Sequence, residues 1–228
     1  MGILEESEKL CPADYLGRNY QKELEEILAG ISSNVCPEGD CQDPPVLLLH
    51  SCCAPCSSYV ISYLSDYFKI TVFYFNPNIT DRSEYLRRVR EQKKFIESYE
   101  TKYPVDFIEG DYNPELFLQM SKGLEHVPEG SIRCDKCYRM RIEESARMAK
   151  EISADYFTTT LTISPQKFSP LLNSIGDTIG KAYGVRYLFS DFKKKDGYKK
   201  SVEFSKKYGL YRQDYCGCDF SKQHSVEA

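Results

Sequence analysis

The chain has 228 residues, a length that suits one large α/β domain with a substantial buried core. Its net charge of −4 does not indicate general nucleic-acid binding, no stretch approaches the roughly 18 apolar residues of a membrane span, and residues 1–6 carry acid where a signal peptide carries base. We therefore expect a cytoplasmic protein, in which ten cysteines favour metal or redox chemistry over a disulfide scaffold.

The first predicted segment, residues 1–44, is an N-terminal appendage with weak periodicity apart from a short helix over 20–28. Cys11, Cys36 and Cys41 lie in this appendage without close spacing, so we interpret them as ordinary unligated thiols. Residues 45–228 are predicted to form a single α/β domain.

Strands and helices alternate through this domain. The predicted strands cover 46–50, 70–76, 105–109, 156–160 and 185–188. The predicted helices begin near Pro55 and cover 83–99, 114–122, 136–152 and 168–183. This order predicts a parallel sheet of about five strands with helices on both faces, Rossmann-like or HUP-like, followed by a cysteine-containing C-terminal segment. Ligands of such sheets lie beyond the carboxyl ends of the strands.

Seven cysteines fall into three close groups on this frame. They are Cys52, Cys53 and Cys56 after the first strand, Cys134 and Cys137 in a C-x-x-C, and Cys216 and Cys218 in a C-x-C. Sulfur-only ligands favour zinc or an iron–sulfur cluster. Adjacent cysteines are awkward for a zinc knuckle, so we favour iron–sulfur, with a closed zinc site of Cys53, Cys56, Cys134 and Cys137 as the alternative.

Local structure should support thiolate chemistry at these groups. Pro55 and Cys137 are predicted to lie in first helical turns, where the helix dipole and free N–H groups stabilise thiolates. The C-x-C around Gly217 suits a small, strained and therefore reducible disulfide that could relay electrons. Two further metal ligands are the alternative interpretation of the C-x-C.

Six segments, in one order, resemble the cobalamin-independent epoxyqueuosine reductases (QueH). The resemblance covers about residues 46–221, and it departs from the family at Thr80 and Asp81, where a His/Pro-type sequence is expected. The segments are LLLHSCCAPCSSYV, VFYFNPNI with EYLRRVREQ, RCDKCYRMRIEESA, TTTLTISPQK, SDFKKKDGY and YRQDYCGCDFS.

The resemblance implies reduction of epoxyqueuosine to queuosine at the wobble position of tRNA, the last step of queuosine synthesis. It also implies a [4Fe-4S] cluster, an adjacent non-haem iron and an external electron donor. Carried over by position, Cys52, Cys53, Cys134 and Cys137 match the cluster ligands, and Cys216 with Cys218 matches a redox-active disulfide pair. Cys56 is left either as a ligand of the extra iron or as an unligated thiol.

Polar residues near these motifs are candidates for contact with the tRNA. Thr160, Ser164, Gln166 and Lys167 follow the fourth strand and could bind the modified base or a phosphate. The basic residues around the C-x-x-C are expected to face tRNA phosphates and to offset cluster charge; they are Arg133, Arg139 and Arg141. The proton donor is left unassigned among Asp191, Tyr138 and Asp219, and we expect His50 to be a hydrogen-bonded residue at a strand end.

Two functions of other classes remain as alternatives. An iron–sulfur-dependent tRNA thiolation enzyme would normally activate its base with ATP, and the loop HSCCAPCSS contains no glycine-rich phosphate cradle. A zinc-binding RNA-binding module would need only the closed zinc site. The colour of the purified protein separates the iron–sulfur and zinc hypotheses.

Overall fold

A computed structural model describes residues 3–34 and 43–222 of the chain, so Cys36 and Cys41 lie outside the described residues. Its α-helices are α1 (Ile3–Lys9), α2 (Tyr20–Asn34), α3 (Ala54–Leu64), α4 (Arg82–Ser98), α5 (Pro114–Ser121), α6 (Ile132–Glu151), α7 (Ser169–Tyr183), α8 (Gly197–Lys207) and α9 (Asp219–Lys222). Short 3-10 helices cover Ala13–Tyr15 and Thr160–Ile163. None of the described helices combines the length and the hydropathy that a membrane span requires.

The sheet has five parallel strands in the order β3-β2-β1-β4-β5. Its strands are β1 (Val46–His50), β2 (Lys69–Tyr74), β3 (Val105–Glu109), β4 (Tyr156–Thr159) and β5 (Arg186–Tyr187). The predicted α/β fold is therefore confirmed. His50, the last residue of β1, pairs with Phe73 on one side and with Thr159 on the other. The chain thus reverses its winding direction at β1, and a crevice opens beyond the carboxyl ends of β1 and β4.

Two apolar layers cover the sheet. Leu47 and Leu49 of β1 pack into the layer that contains side chains of α2, α3, α4 and α8, whereas Leu48 packs against α6 and α7. Successive side chains of a strand point to opposite faces, so a continuous apolar strand is the expected sequence for a sheet covered on both faces. Helix α2 contributes the buried residues Leu24 and Leu28 to the first layer, and the appendage therefore shares the core of the domain.

Helix α6 differs from its prediction in a way that matters for the cysteines. It begins at Ile132 rather than at residue 136, because Ser131 is extended and its carbonyl accepts the N–H of Asp135. Cys134 therefore lies in the first turn. The prediction that Cys137 lies in the first turn is wrong, since it lies in the second. Helix α2 is longer than predicted, and α1 and α8 had no predicted counterpart.

Candidate metal centre and active site

The turn after β1 is held in place by polar side chains. The carbonyl of Ser51 accepts a hydrogen bond of 2.8 Å from Asn76 Nδ2, and the Ser51 hydroxyl donates to Gln92 Oε1 at 2.7 Å. Cys53 is extended, with φ −173° and ψ 153°, and occupies the N-cap of α3, with Pro55 in the first turn. The first cysteine group therefore lies at a helix N-terminus, where negative charge on sulfur is favoured.

Three thiols meet at this turn, and we call them the three-thiol cluster: Cys52, Cys53 and Cys56. Their Sγ atoms all lie within 4.8 Å of one another. Hydrogen bonds from Cys53 and Cys56 hold the pKa of the Cys52 thiol well below its usual value, while donation to Cys52 raises the pKa of Cys53 to about 12. Negative charge is thus concentrated on one sulfur with two more beside it, a donor set that fits zinc or iron.

Four other cysteines surround a small space that we call the inner cavity. It has a volume of about 20 Å³ and is lined by Cys134, Cys137, Cys216 and Cys218, among others. Cys134 Sγ accepts the Gly130 N–H at 3.2 Å, and burial raises the pKa of Cys134 and of Cys137 to about 12. Cys216 and Cys218 are free thiols here, so the disulfide stays a prediction.

The three-thiol cluster and the cysteines of the inner cavity lie near one buried arginine. The sulfur group within 4.8 Å contains Cys56 but neither Cys134 nor Cys137. Between the groups lies Arg141, whose side chain is fully buried and whose charge acts on both Cys137 and Cys52. Its Nε and Nη1 atoms have no hydrogen-bond partner among the described residues. Buried donors without acceptors, beside several thiols, fit an anionic sulfur-ligated group such as an iron–sulfur cluster.

A cleft of about 360 Å³ opens from the three-thiol cluster. Cys52 and Cys56 line it together with residues of the segment 160–167, and Tyr198 and the segment 212–216 also line it. Thr160 Oγ1 lies 3.8 Å from Cys52 Sγ. Burial alone would lower the pKa of Lys167, but its interactions with Cys216 and Cys52 outweigh burial and raise that pKa.

Several predicted contact residues lie in the wall of this cleft. Thr160, Ser164 and Gln166 line it, as does Lys167, so the segment after β4 lies beside the cysteines as the sheet topology required. Their contact with a substrate stays a prediction. Tyr198 and residues 212–215 also line the cleft, although their sequence gave no signal of it beyond lying near the C-x-C.

Two arginines that were predicted to face phosphate are buried instead. Arg133 is 2% exposed, and its Nη1 donates to the carbonyls of Leu124, Glu125 and Val127, so its guanidinium holds the loop before α6. Arg141 is 0% exposed and faces the cysteines. Among the three arginines of this prediction, Arg139 keeps a half-exposed side chain.

The candidate proton donors lie apart from the cleft wall. Asp191 pairs with Lys193 at 2.9 Å, and Asp219 accepts a hydrogen bond of 2.8 Å from Thr80. Tyr138 lines the inner cavity, and burial raises its pKa well above the usual value. His50 is buried and bonded to Thr159 and to the Phe75 carbonyl, which agrees with the expected role at a strand end.

Arg88 was not evident as a site residue from the sequence, because the run of arginines and lysines over residues 87–94 is typical of a solvated helix face. It is 1% exposed, and its Nε donates to Glu84 Oε1 at 2.7 Å. Its Nη1 and Nη2 donate to the carbonyls of Cys216 and Tyr215 at 3.3 and 3.4 Å. Arg88 therefore fixes the backbone of the C-x-C. A glutamate four residues before an arginine on a helix was the available signal.

Comparison with known proteins places this site in a family. A family model described as epoxyqueuosine reductase QueH matches residues 47–224. Relatives named epoxyqueuosine reductase QueH include one from Staphylococcus epidermidis, 42% identical with 89% of this chain and 84% of that chain covered. Another, from Streptococcus pyogenes, is 43% identical over 78% of this chain and 70% of that one. A third, from Thermotoga maritima, is 35% identical over 77% and 89%.

A weaker likeness exists among solved structures. The U34-tRNA thiolase NcsA from Methanococcus maripaludis, solved with its [4Fe-4S] cluster, matches with a TM-score of 0.49 and 11% identity over 90% of this chain and 72% of that chain. A likeness at this level assigns no function. The family match covers all three cysteine groups, and it confirms the resemblance inferred from the six motifs. The chain therefore belongs to the epoxyqueuosine reductase QueH family of oxidoreductases.

Proposed function

We propose that this protein reduces epoxyqueuosine to queuosine at the wobble position of tRNA, as the last step of queuosine biosynthesis. The observation that carries the proposal is the three-thiol cluster opening directly into the cleft, in a chain that belongs to the QueH family. The cleft volume of about 360 Å³ is within the range of small-molecule sites and suits a modified base splayed out from the anticodon.

We infer that Cys52, Cys53, Cys134 and Cys137 hold a [4Fe-4S] cluster and that Cys56 is available to an adjacent non-haem iron. The supporting observations are the thiols on either side of Arg141 and the two guanidinium nitrogens that lack partners among the described residues. When bound, the cluster supplies electrons one at a time.

The protein's own groups bind the base and balance the protons. Thr160, Ser164 and Gln166 are positioned to hydrogen-bond the base or a phosphate from the cleft wall. The reaction converts the epoxide, two electrons and two protons into an alkene and water. Oxidation of the Cys216 and Cys218 thiols to a disulfide releases two electrons and two protons, so the pair matches this requirement.

Cys216 occupies a suitable place for such a relay. It lines both the cleft and the inner cavity, whereas Cys218 lines the inner cavity and not the cleft. An external electron donor must reduce the disulfide again before the next turnover. We further propose that the enzyme works in the cytoplasm, where thiol reductants and tRNA are both present.

The test is anaerobic incubation with tRNA that contains epoxyqueuosine and a reductant, followed by nucleoside mass analysis for the loss of one oxygen. Cys134→Ala should lose both cluster and turnover. Cys11→Ala is the matched control, because Cys11 packs against the core on the α6 and α7 face and lines neither the cleft nor the inner cavity. A Cys134→Ala protein with a full cluster and full turnover would remove Cys134 from the ligand set.

The two alternative functions predict a different colour of the purified protein or different products of the incubation. A zinc-binding RNA-binding module would be colourless after anaerobic purification, whereas an iron–sulfur protein is brown. A tRNA thiolation enzyme would add sulfur to the tRNA and consume ATP in the same incubation. No observation on the described residues favours either alternative.

A further inference from the structure

Arg141 is a buried cation that forms no ion pair with a carboxylate among the described residues. It is 0% exposed and lies in α6, one turn after Cys137. The other fully buried arginine, Arg88, has Glu84 Oε1 at 2.7 Å from its Nε. Arg141 has no ion pair of this kind within residues 3–34 and 43–222, and its Nε and Nη1 lack hydrogen-bond partners there. A buried charge without a partner is costly, so a native site that keeps one points to an anion that belongs there.

Asn76 fixes the position of the Arg141 guanidinium. Arg141 Nη2 donates to Asn76 Oδ1 at 2.6 Å, and Asn76 Nδ2 donates to the Ser51 carbonyl at 2.8 Å. Ser51 directly precedes Cys52. This chain of bonds joins α6 to the end of β1, and the Arg141 side chain also acts as a hydrogen-bond donor to Cys137.

The electrostatic environment of Arg141 agrees with a position beside the cysteines. Burial alone would lower the pKa of Arg141, but its interactions with Cys137 and Cys52 outweigh burial and raise that pKa. Arg141 also lines the cleft beside Cys52 and Thr160. The side chain therefore lies between the two thiol pairs that the proposed function assigns to the cluster.

We propose that Arg141 is a positioning residue for the bound cluster, and that its Nε–H and Nη1–H donate to cluster sulfur and raise the reduction potential. The inference rests on the proposed function, which supplies the cluster. One-electron reduction adds a negative charge to the cluster, and hydrogen bonds to its sulfurs with a fixed cation beside them stabilise the more negative state. The effect is strong because little water screens a fully buried charge.

The first experiment measures the reduction potential of the anaerobically loaded protein by a spectroscopic redox titration. Arg141→Gln should make reduction at least tenfold less favourable, which for one electron corresponds to a potential lower by about 59 mV. Arg139→Gln is the matched control, because it removes the same charge from a half-exposed position of the same helix. Its potential should stay close to that of the unchanged protein, since solvent screens exposed charges. Equal potentials for Arg141→Gln and the unchanged protein would overturn the proposal.

The refuting outcome of the second experiment is read from the unchanged protein, and one variant identifies the source of the signal. Pulsed EPR of the reduced cluster, in protein labelled with ¹⁵N in its arginine side chains, should show a weak ¹⁵N coupling. Arg141→Lys in the same labelling should lose that coupling, which identifies its source. A reduced cluster without any arginine ¹⁵N coupling in the unchanged protein would refute the assignment of Arg141.

The outcomes also separate this inference from the proposed function. If the unchanged protein binds no cluster at all, the proposed cofactor is wrong and the inference falls with it. If the unchanged protein holds a cluster and reduces epoxyqueuosine while its potential is insensitive to Arg141, only the role of Arg141 is wrong.

Discussion

Gly217, the central residue of the C-x-C, is a position where an added methyl group should displace the thiols of Cys216 and Cys218. Its φ of +124° lies in a region that L-residues rarely adopt, and a Cβ atom there would lie 2.8 Å from Ile79 Cγ1. Ile79 is 1% exposed and has little room to move. Backbone strain of about 1–3 kcal/mol and a similar cost for overpacking give an expected loss of about 2–6 kcal/mol in the free energy of unfolding for Gly217→Ala.

The matched control is Gly184→Ala. Gly184 also has a positive φ, +73°, but a Cβ there would have nothing within 4 Å, so only backbone strain of about 1–2 kcal/mol is expected. Urea unfolding and turnover of tRNA containing epoxyqueuosine should be measured for both variants. Gly217→Ala should be the less stable variant and should lose turnover, because the thiols on either side are displaced. Stability and turnover equal to those of Gly184→Ala would refute the steric reasoning.

Two further predictions concern buried polar contacts. Burial lowers the pKa of His50 to about 3. Between that pH and about 6.5, His50 is protonated in the unfolded chain and neutral in the folded protein. The free energy of unfolding should therefore fall by roughly 1.4 kcal/mol per pH unit as the pH drops from about 6.5 towards 3. His50→Asn should flatten this dependence in urea titrations of the apoprotein at several pH values, and an unchanged slope would contradict it. Ser7→Ala removes a bond of 2.7 Å to the Gly130 carbonyl and should cost about 1 kcal/mol in thermal unfolding, with a looser Gly130 contact to Cys134. Ser33→Ala, which removes an exposed hydrogen bond, is its control. Equal losses of stability in the two variants would contradict a stabilising role for the Ser7 hydrogen bond.

The elements with clear periodicity and clear boundaries could be predicted from the sequence. Strand β3 covers the predicted residues, since Pro104 and Gly110 flank its five positions. Helix α8 had no predicted counterpart because small and polar residues occupy its buried positions, which are Gly197, Ser201 and Ser205. A Cβ at Gly197 would lie 1.8 Å from the Phe192 carbonyl oxygen. The N-terminus of α8 therefore packs through close approach of two backbone segments rather than through large apolar side chains.

The cysteine groups of the site were evident from spacing, and the parallel topology explains why they meet at one edge of the sheet. The burial of Arg141 was not evident, because Arg139 and Arg147 stand in the same basic tract. Only the side of α6 that packs against the sheet distinguishes them. Arg141 lies on the buried face of the helix with Tyr138 and Ser145, while Arg139 and Arg147 are half-exposed. Which face of a helix is buried depends on tertiary packing, and a pattern of charges in the sequence does not specify it.

The three cysteine groups come from distant parts of the chain, after β1, at the start of α6 and beyond α8. An unfolded polypeptide cannot present the same ligands together, so any metal group that joins them binds the native state and adds its binding free energy to the free energy of unfolding. If that group is the proposed iron–sulfur cluster, the supply of iron sets how resistant the folded protein is to unfolding. A preparation starved of iron should be digested sooner by proteases than one that is fully loaded.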